Sequence, residues 1–234
     1  MTSVRDILAD NLAQVEARLT AACQRVGRSR QEVTLVAVTK TVSVEVAATL
    51  VSLGISDCGE NRPQELWHKA ETLPGVRWHL IGHLQRNKIE RTLPLVTCIH
   101  SVDSLRLLQA LDTVEGLPLP GVLLEFNCSG ESSKQGFAPN ELAALAEALT
   151  TLRRVRVTGL MTMAAYEEDP QQCRPTFVQL RQLRDELRER VGAKHPLTEL
   201  SMGMSNDFEV AVEEGATLIR LGTVLFTGLP GEST

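Results

Sequence analysis

Two basic side chains in this sequence stand where strand patterning calls for apolar ones. Lys40 closes the run VTLVAVTK (Val33 to Lys40), and Arg220 interrupts TLIRLG (Thr217 to Gly222). An ammonium taken out of water loses several kcal/mol of solvation unless it is paired, and the usual relief is a lowered pKa and a neutral amine. A neutral amine attacks aldehydes, so Lys40 is a candidate Schiff-base lysine; the alternative is a strand-end lysine reaching into solvent. A buried guanidinium usually pairs with a carboxylate, and otherwise contacts an acceptor atom of a bound ligand.

Two late loops have the makings of an anion site, which needs unobstructed backbone amides and hydroxyl donors. In SMGMSND (Ser201 to Asp207), Gly203 relaxes the backbone and Ser205 offers a hydroxyl; in RLGT (Arg220 to Thr223), Gly222 and Thr223 offer amides and a second hydroxyl. Taken singly, Ser205 or Asn206 is equally a helix cap and Gly222 a turn residue. Together they suit phosphate.

The elements that must position these groups alternate along the chain. Strand patterns cover Thr34 to Lys40, Asp57 to Glu60, Arg77 to Gly82, Thr97 to Ser101, Val122 to Asn127, Arg156 to Met163, Glu199 to Met202 and Leu218 to Leu221. Helical patterns fill the gaps: Val44 to Leu53, Pro63 to Thr72, Asn87 to Leu93, Ser104 to Val114, Pro139 to Leu152, Pro170 to Val191 and Asp207 to Glu214. An amphipathic helix, Ser3 to about Val26, comes first. Eight strand patterns joined by seven helices fit a (β/α)8 barrel of the TIM type, a fold of about 250 residues, better than an open sheet. No Gly-x-Gly-x-x-Gly turn follows the first strand, as a dinucleotide fold would want. We expect one domain over residues 1–234, with an added N-terminal helix in 1–27 and the barrel in 33–228.

In such barrels the chemistry collects at the C-terminal strand ends, with phosphate near strands seven and eight. Lys40, Gly59 to Asn61, Gly82, His83, Asn127 and both late loops all fall at that end. Strand parity puts Lys40 on the barrel-facing side with Val36 and Val38, and Leu218, Arg220 and Gly222 on one shared face.

Composition narrows the function classes. A net charge of −5 argues against nucleic acid as the main partner. No run nears the roughly 18 apolar residues of a membrane span, and the N-terminus lacks a signal peptide's pattern, so a cytoplasmic protein is expected. Five scattered cysteines, Cys23, Cys58, Cys98, Cys128 and Cys173, with no CxxC pair, suggest neither a disulfide framework nor a metal site.

Lys40, CGENRPQE (Cys58 to Glu65), WHLIGHLQRNK (Trp78 to Lys88), SKQGF (Ser133 to Phe137), GLMTM (Gly159 to Met163), LSMGMSND (Leu200 to Asp207) and IRLGTVLFTG (Ile219 to Gly228) follow one another along the chain. Together they resemble the pyridoxal phosphate homeostasis protein family, also called the proline synthetase co-transcribed family. The resemblance runs from about Leu35 to Gly228 and implies the fold-type III barrel of the alanine racemase N-terminal domain, binding pyridoxal 5'-phosphate (PLP). It makes Lys40 the Schiff-base lysine, sets Arg220 at the pyridine nitrogen, and gives the phosphate to Ser205, Gly222 and Thr223, with Met204 lining that turn. Asn61 would lie beside the ring or satisfy backbone groups at its own turn, and His83 at the pocket edge.

The same resemblance implies a monomeric carrier or regulator in vitamin B6 homeostasis without established catalysis. An arginine at the ring nitrogen only donates, which keeps that nitrogen unprotonated and weakens the ring as an electron sink. Racemisation also needs a second acid/base, which alanine racemase takes from a further domain that this 234-residue chain is not expected to carry. Tyr166 is the one tyrosine available for that role, otherwise a partly exposed packing residue. Competing readings are a PLP-dependent amino-acid racemase completed by Tyr166 or by a partner subunit, and an aldolase-like barrel in which Lys40 binds a phosphorylated sugar. Expected partners of the carrier are PLP, small amines or amino acids, and PLP-dependent apoenzymes.

Overall fold

The computed structural model describes residues 3–130 and 135–230. Eight parallel strands follow one another in chain order: β1 (Thr34–Val38), β2 (Asp57–Glu60), β3 (Arg77–Leu80), β4 (Cys98–Val102), β5 (Gly121–Glu125), β6 (Val157–Met161), β7 (Glu199–Ser201) and β8 (Leu218–Leu221). The sheet closes on itself where β1 pairs β8, with Val36 opposite Arg220. This is the (β/α)8 barrel expected from the alternation of patterns.

Outside the strands lie α1 (Val4–Arg25), α2 (Val44–Ser52), α3 (Pro63–Thr72), α4 (Ile89–Thr92), α5 (Leu105–Asp112), α6 (Leu142–Thr151), α7 (Arg174–Val191), α8 (Phe208–Glu213) and α9 (Thr223–Phe226). Serines before three of them accept a first-turn amide: Ser3 from Asp6, Ser43 from Val46 and Ser104 from Leu107. The added helix α1 buries Leu8, Val15, Leu19 and Ala22 and touches α2, α8 and α9. It thus covers the β8–β1 seam, where a barrel whose last strand is followed by a single turn of helix lacks an outer layer. Arg18 secures it by stacking 4.7 Å over Phe208 and pairing with Glu209 at 2.8 Å.

Sequence patterning overshoots several strand ends. It extends β1 to Lys40, β3 to Gly82, β5 to Asn127, β6 to Met163 and β7 to Met202, whereas pairing stops at Val38, Leu80, Glu125, Met161 and Ser201. One further amide past each end still reaches its neighbour: Thr39 to Gly59, Ile81 to Glu60, Phe126 to Met161, Thr162 to Ser201 and Met202 to Leu218. After that bond the chain turns outward, and no residue-type signal marks the place. The helix expected over Asn87 to Leu93 is a single α turn between two 3-10 turns, the second holding Pro94, which has no amide to donate.

The core divides in two. One large apolar layer fills the space between sheet and helices, and Val36, Cys98, Leu123, Met161 and Leu218 form a separate cluster inside the barrel. All five cysteines are buried, and none of them is in a disulfide. Burial pushes the Cys58 thiol up to about 12, which marks an inert core thiol. No helix among the described residues is long and apolar enough to cross a membrane.

Candidate functional site

Lys40 does not meet the expectation of a buried amine. It sits two residues past β1, exposed, and its side chain makes no hydrogen bond or ion pair with the described residues. The buried lysine here is Lys69 of α3, which sequence reasoning passed over. Its ammonium is 2.6 Å from Glu60 Oε1, 2.6 Å from the carbonyl of Thr39 and 3.0 Å from that of Val42. Those two carbonyls flank Lys40 and Thr41, and Val42 N–H closes the turn on Thr39 at 3.1 Å. Thr39 Oγ1 adds a bond to Glu60 Oε1 at 2.6 Å. Lys40 is therefore a free arm on a clamped turn. A buried acid in DCGE and a lysine on the inner stripe of α3 were the available signals.

The late loops are tied to one another as well. Gly203 has φ +94°, and a β-carbon there would come within 2.6 Å of the Ala211 β-carbon, so only glycine fits. Ser205 Oγ accepts from the amides of Gly222 at 3.4 Å and Val224 at 3.3 Å, and keeps its own O–H to donate. The first amide of α9, that of Thr223, lacks an intrahelical partner as every first helical amide does. Met204 N–H binds Asp207 Oδ1 at 2.6 Å, and Arg220 N–H binds the Gly203 carbonyl at 3.0 Å. Burial raises the Asp207 carboxyl, against the pull of the Met204 amide and the Arg220 charge.

Arg220 points into the barrel, as strand parity requires. It is nearly fully buried, with NH1 on Ser201 Oγ at 2.5 Å and NH2 on the Thr162 carbonyl at 2.9 Å. No carboxylate among the described residues pairs with it directly. Burial pulls it down to about 10, partly offset by Asp207 and Glu125, so it stays a cation at neutral pH. Its remaining N–H bonds have no partner among the described residues.

Asn61 follows β2 directly, half-buried, and its side-chain amide bonds to none of the described residues, so it does not satisfy its own turn. Its backbone is pressed against Gly82, where a β-carbon would lie 2.2 Å from the Asn61 carbonyl oxygen. His83 is half-exposed and its Nδ1 lies 3.1 Å from Asp103 Oδ2. Tyr166 is 81% exposed, well beyond the partial packing expected of it. Ser133 and Lys134, from the SKQGF run, lie outside the described residues. Glu125, at the end of β5, was missed. Burial and the nearby Asp103 push its carboxyl up to about 7, opposed by Arg220 and His83.

The structure thus brings Lys40, Ser205, Gly222, Thr223 and Arg220 to one corner of the barrel mouth, because β1 and β8 are neighbours. A β-carbon at Gly222 would lie 3.6 Å from Val38, two residues before Lys40. Asn61 joins them from β2, on the other side of β1.

Comparison with known proteins shows the family and agrees with the fold. The family profile described as the alanine racemase N-terminal domain matches residues 11–230. The pyridoxal phosphate homeostasis protein of Aquifex aeolicus is 42% identical over 221 residues, 93% of this chain and 96% of that one. The chain belongs to the pyridoxal phosphate homeostasis protein family. The family member from Pseudomonas aeruginosa is 40% identical over 94% of both chains. PipY of Synechococcus elongatus PCC7942, solved with PLP bound, superposes with a TM-score of 0.80 at 34% identity, covering 94% of this chain and 99% of PipY. Alanine racemase from Corynebacterium glutamicum shares the fold, with a TM-score of 0.71 at 16% identity; the match covers 98% of this chain and 63% of the racemase.

Proposed function

We propose that this chain binds PLP at the barrel mouth, carries it covalently on Lys40 as a Schiff base, and serves PLP homeostasis by holding and releasing it without turnover of its own. The observation that carries this reading is the pairing of β1 with β8, which sets an unpaired lysine beside two laced, anion-suited loops and a buried arginine. The residues fit the group: the turn at Gly203 has no room for a β-carbon, and Ser205 O–H and Thr223 N–H remain as donors. Ser205, Gly222 and Thr223 would hold the phosphate with Met204 against the turn, Asn61 would lie beside the ring, and Arg220 would donate to the ring nitrogen.

When bound, the cofactor supplies an aldehyde that condenses with a primary amine, losing water, and a ring able to draw electrons from an attached amino acid. The chain's own groups favour the first of these over the second. Lys40 is exposed on a rigid turn, open to small amines and to acceptor apoenzymes. Arg220, still protonated at neutral pH, cannot hand a proton to the ring nitrogen and remain a good partner for it. Tyr166, 81% exposed, makes no hydrogen bond with the described residues that would aim it at the mouth. We place this carrier in the cytoplasm as a monomer.

Glu125 favours a second reading. A carboxyl pushed up to about 7 beside Arg220 is a competent proton acceptor and donor, and would allow slow α-proton exchange on a bound amino acid. Incubating the PLP-loaded protein with amino acids in deuterated water separates the two. The carrier reading expects retention of PLP through gel filtration and no deuterium at the α-carbon. Incorporation that disappears in Glu125→Gln would replace it with the second reading.

A further inference from the structure

Below Arg220 the barrel interior holds a line of polar groups that no role above uses. Ser201 Oγ, which takes Arg220 NH1 at 2.5 Å, lies 2.8 Å from His100 Nδ1; His100 Nε2 lies 2.9 Å from His79 Nδ1; and His79 Nε2 lies 3.0 Å from Asp57 Oδ1. Both rings and Ser201 are at most 4% exposed. Arg77 closes the far end with its Nε 2.9 Å from Asp57 Oδ1, and Ser56 Oγ donates to Asp57 Oδ2 at 2.9 Å. Five groups from β2, β3, β4, β7 and β8 therefore connect the N-terminal end of the barrel with the arginine at its mouth.

The two ends give the line a direction. A guanidinium can only donate and an ionised carboxylate can only accept. Ser201 accepts from Arg220 and sends its own O–H to His100 Nδ1, which must then be the bare nitrogen. His100 donates from Nε2 to the bare Nδ1 of His79, and His79 donates from Nε2 to Asp57. Burial, together with the Arg220 charge, holds His100 far below its ordinary value, so its ring is neutral. Burial works against the Asp57 carboxylate, but hydrogen bonds from His79 and Arg77 more than offset it and keep Asp57 ionised.

One other arrangement satisfies the ring contacts. It places two protons on His79, turns His100 to its Nδ1–H form and leaves the Ser201 O–H without an acceptor in the line. That puts a buried cation on His79 against Asp57, whose charge Arg77 already meets, and strands the buried Ser201 hydroxyl hydrogen, so the one-way line is the better satisfied of the two. Cys98 Sγ lies within 4.8 Å of the facing ring nitrogens, which also suggests a metal site. Its thiol is pushed well above the ordinary range by burial, and the two nitrogens already share one hydrogen bond, so the set reads as part of the line.

We propose that Asp57, His79, His100 and Ser201 are positioning residues of the cofactor site, a one-way hydrogen-bonded line that pins the Arg220 guanidinium as a fixed donor to the ring nitrogen of PLP. With NH1 held by Ser201 and NH2 by Thr162, the guanidinium plane is set before any ligand arrives. The assignment of the ring nitrogen rests on the PLP reading above; the line itself does not.

Long-range 1H–15N correlation of the histidine rings in the full chain, free of PLP, tests the line. Both His79 and His100 should be neutral with the proton on Nε2, and in Ser201→Ala both should keep that tautomer while the His100 Nδ1 resonance alone shifts, having lost its donor. A doubly protonated His79, or an Nδ1–H form of His100 in the wild type, would overturn it. The second arm loads the protein with ring-15N PLP. Ser201→Ala should move the ring-nitrogen resonance, and Ser201→Thr, which keeps the hydroxyl, should restore it. An unmoved resonance in Ser201→Ala with PLP still bound would overturn the positioning role. Failure of the wild type to hold the label would instead refute the PLP reading, and the tautomers would still decide the line.

Discussion

The two corners of the barrel mouth that flank Lys40 are built from different forces. At the β1–β2 corner a buried ion pair, Lys69 with Glu60, clamps the turn by gripping its carbonyls. At the β7–β8 corner the loops are joined by neutral bonds, from two amides to one serine hydroxyl, over a glycine that nothing can replace. On the proposed function, the contrast follows from what each corner would present. A reactive amine needs a rigid base and a free arm, and a cation buried nearby can serve as scaffold because its charge is spent on Glu60. An anion cradle needs donors left over, so its scaffold must not consume them all; Ser205 accepts twice and still has a hydrogen to give.

The difference is sharpest in stability. Removing one member of a buried ion pair strands the other, at a cost of about 3–5 kcal/mol. Glu60 Oε2 already lacks a partner, so Lys69→Met should fall in that range by urea denaturation and loosen the Lys40 turn. A cost below about 1 kcal/mol would mean that the clamp is dispensable.

Across the mouth from β1, at the end of β5, stands Glu125, whose carboxyl is raised by burial and by Asp103. In the folded protein it titrates near 7 and in the unfolded chain near the ordinary 4.5. The folded state therefore holds the extra proton between these values. Its stabilising contribution is complete below about pH 4.5 and is lost as pH rises through about 7, a change on the order of 3 kcal/mol. Glu125→Gln should flatten that part of the stability profile between pH 5 and pH 8. An unchanged slope would show that Glu125 is solvated and ordinary.

At the neutral corner the penalties are smaller. Gly203→Ala should cost about 1–3 kcal/mol, since it combines a left-handed backbone with a steric clash. Ser205→Ala should cost about 0.5–1.5 kcal/mol in stability, because its two accepted bonds are long, yet lower PLP retention in equilibrium dialysis more than Lys69→Met does once folded protein is compared. Equal retention would erase the distinction between the corners.

How much of this was legible in the sequence differs between the corners too. Strand and helix alternation gave the barrel in order, and β2 and β8 end where their patterns end, because Glu60 is itself the last residue of β2 and Gly222 directly follows the last of β8. At β1 the β-branched Thr39 and the aliphatic stem of Lys40 carry the strand pattern past the real exit, and that overshoot is why Lys40 read as buried. Parity placed Arg220 in the interior correctly, since alternation reports the face of a strand. It does not report the partner across the barrel, so Ser201, His100 and His79 could not be joined to Arg220 from spacing. The grip of Lys69 on Glu60 was hidden for the same reason, a contact between a helix and a strand that no periodicity encodes. The one turn of α9 was too short to register as a helix.

The central claim is that the exposed lysine, not the buried one, carries the cofactor. Mixing the protein with PLP, reducing with borohydride and mapping the modified peptide by mass spectrometry tests it directly. The pyridoxyl label should fall on Lys40 and not on Lys69, and be lost in Lys40→Ala. A single label that persists at another lysine in Lys40→Ala would contradict it.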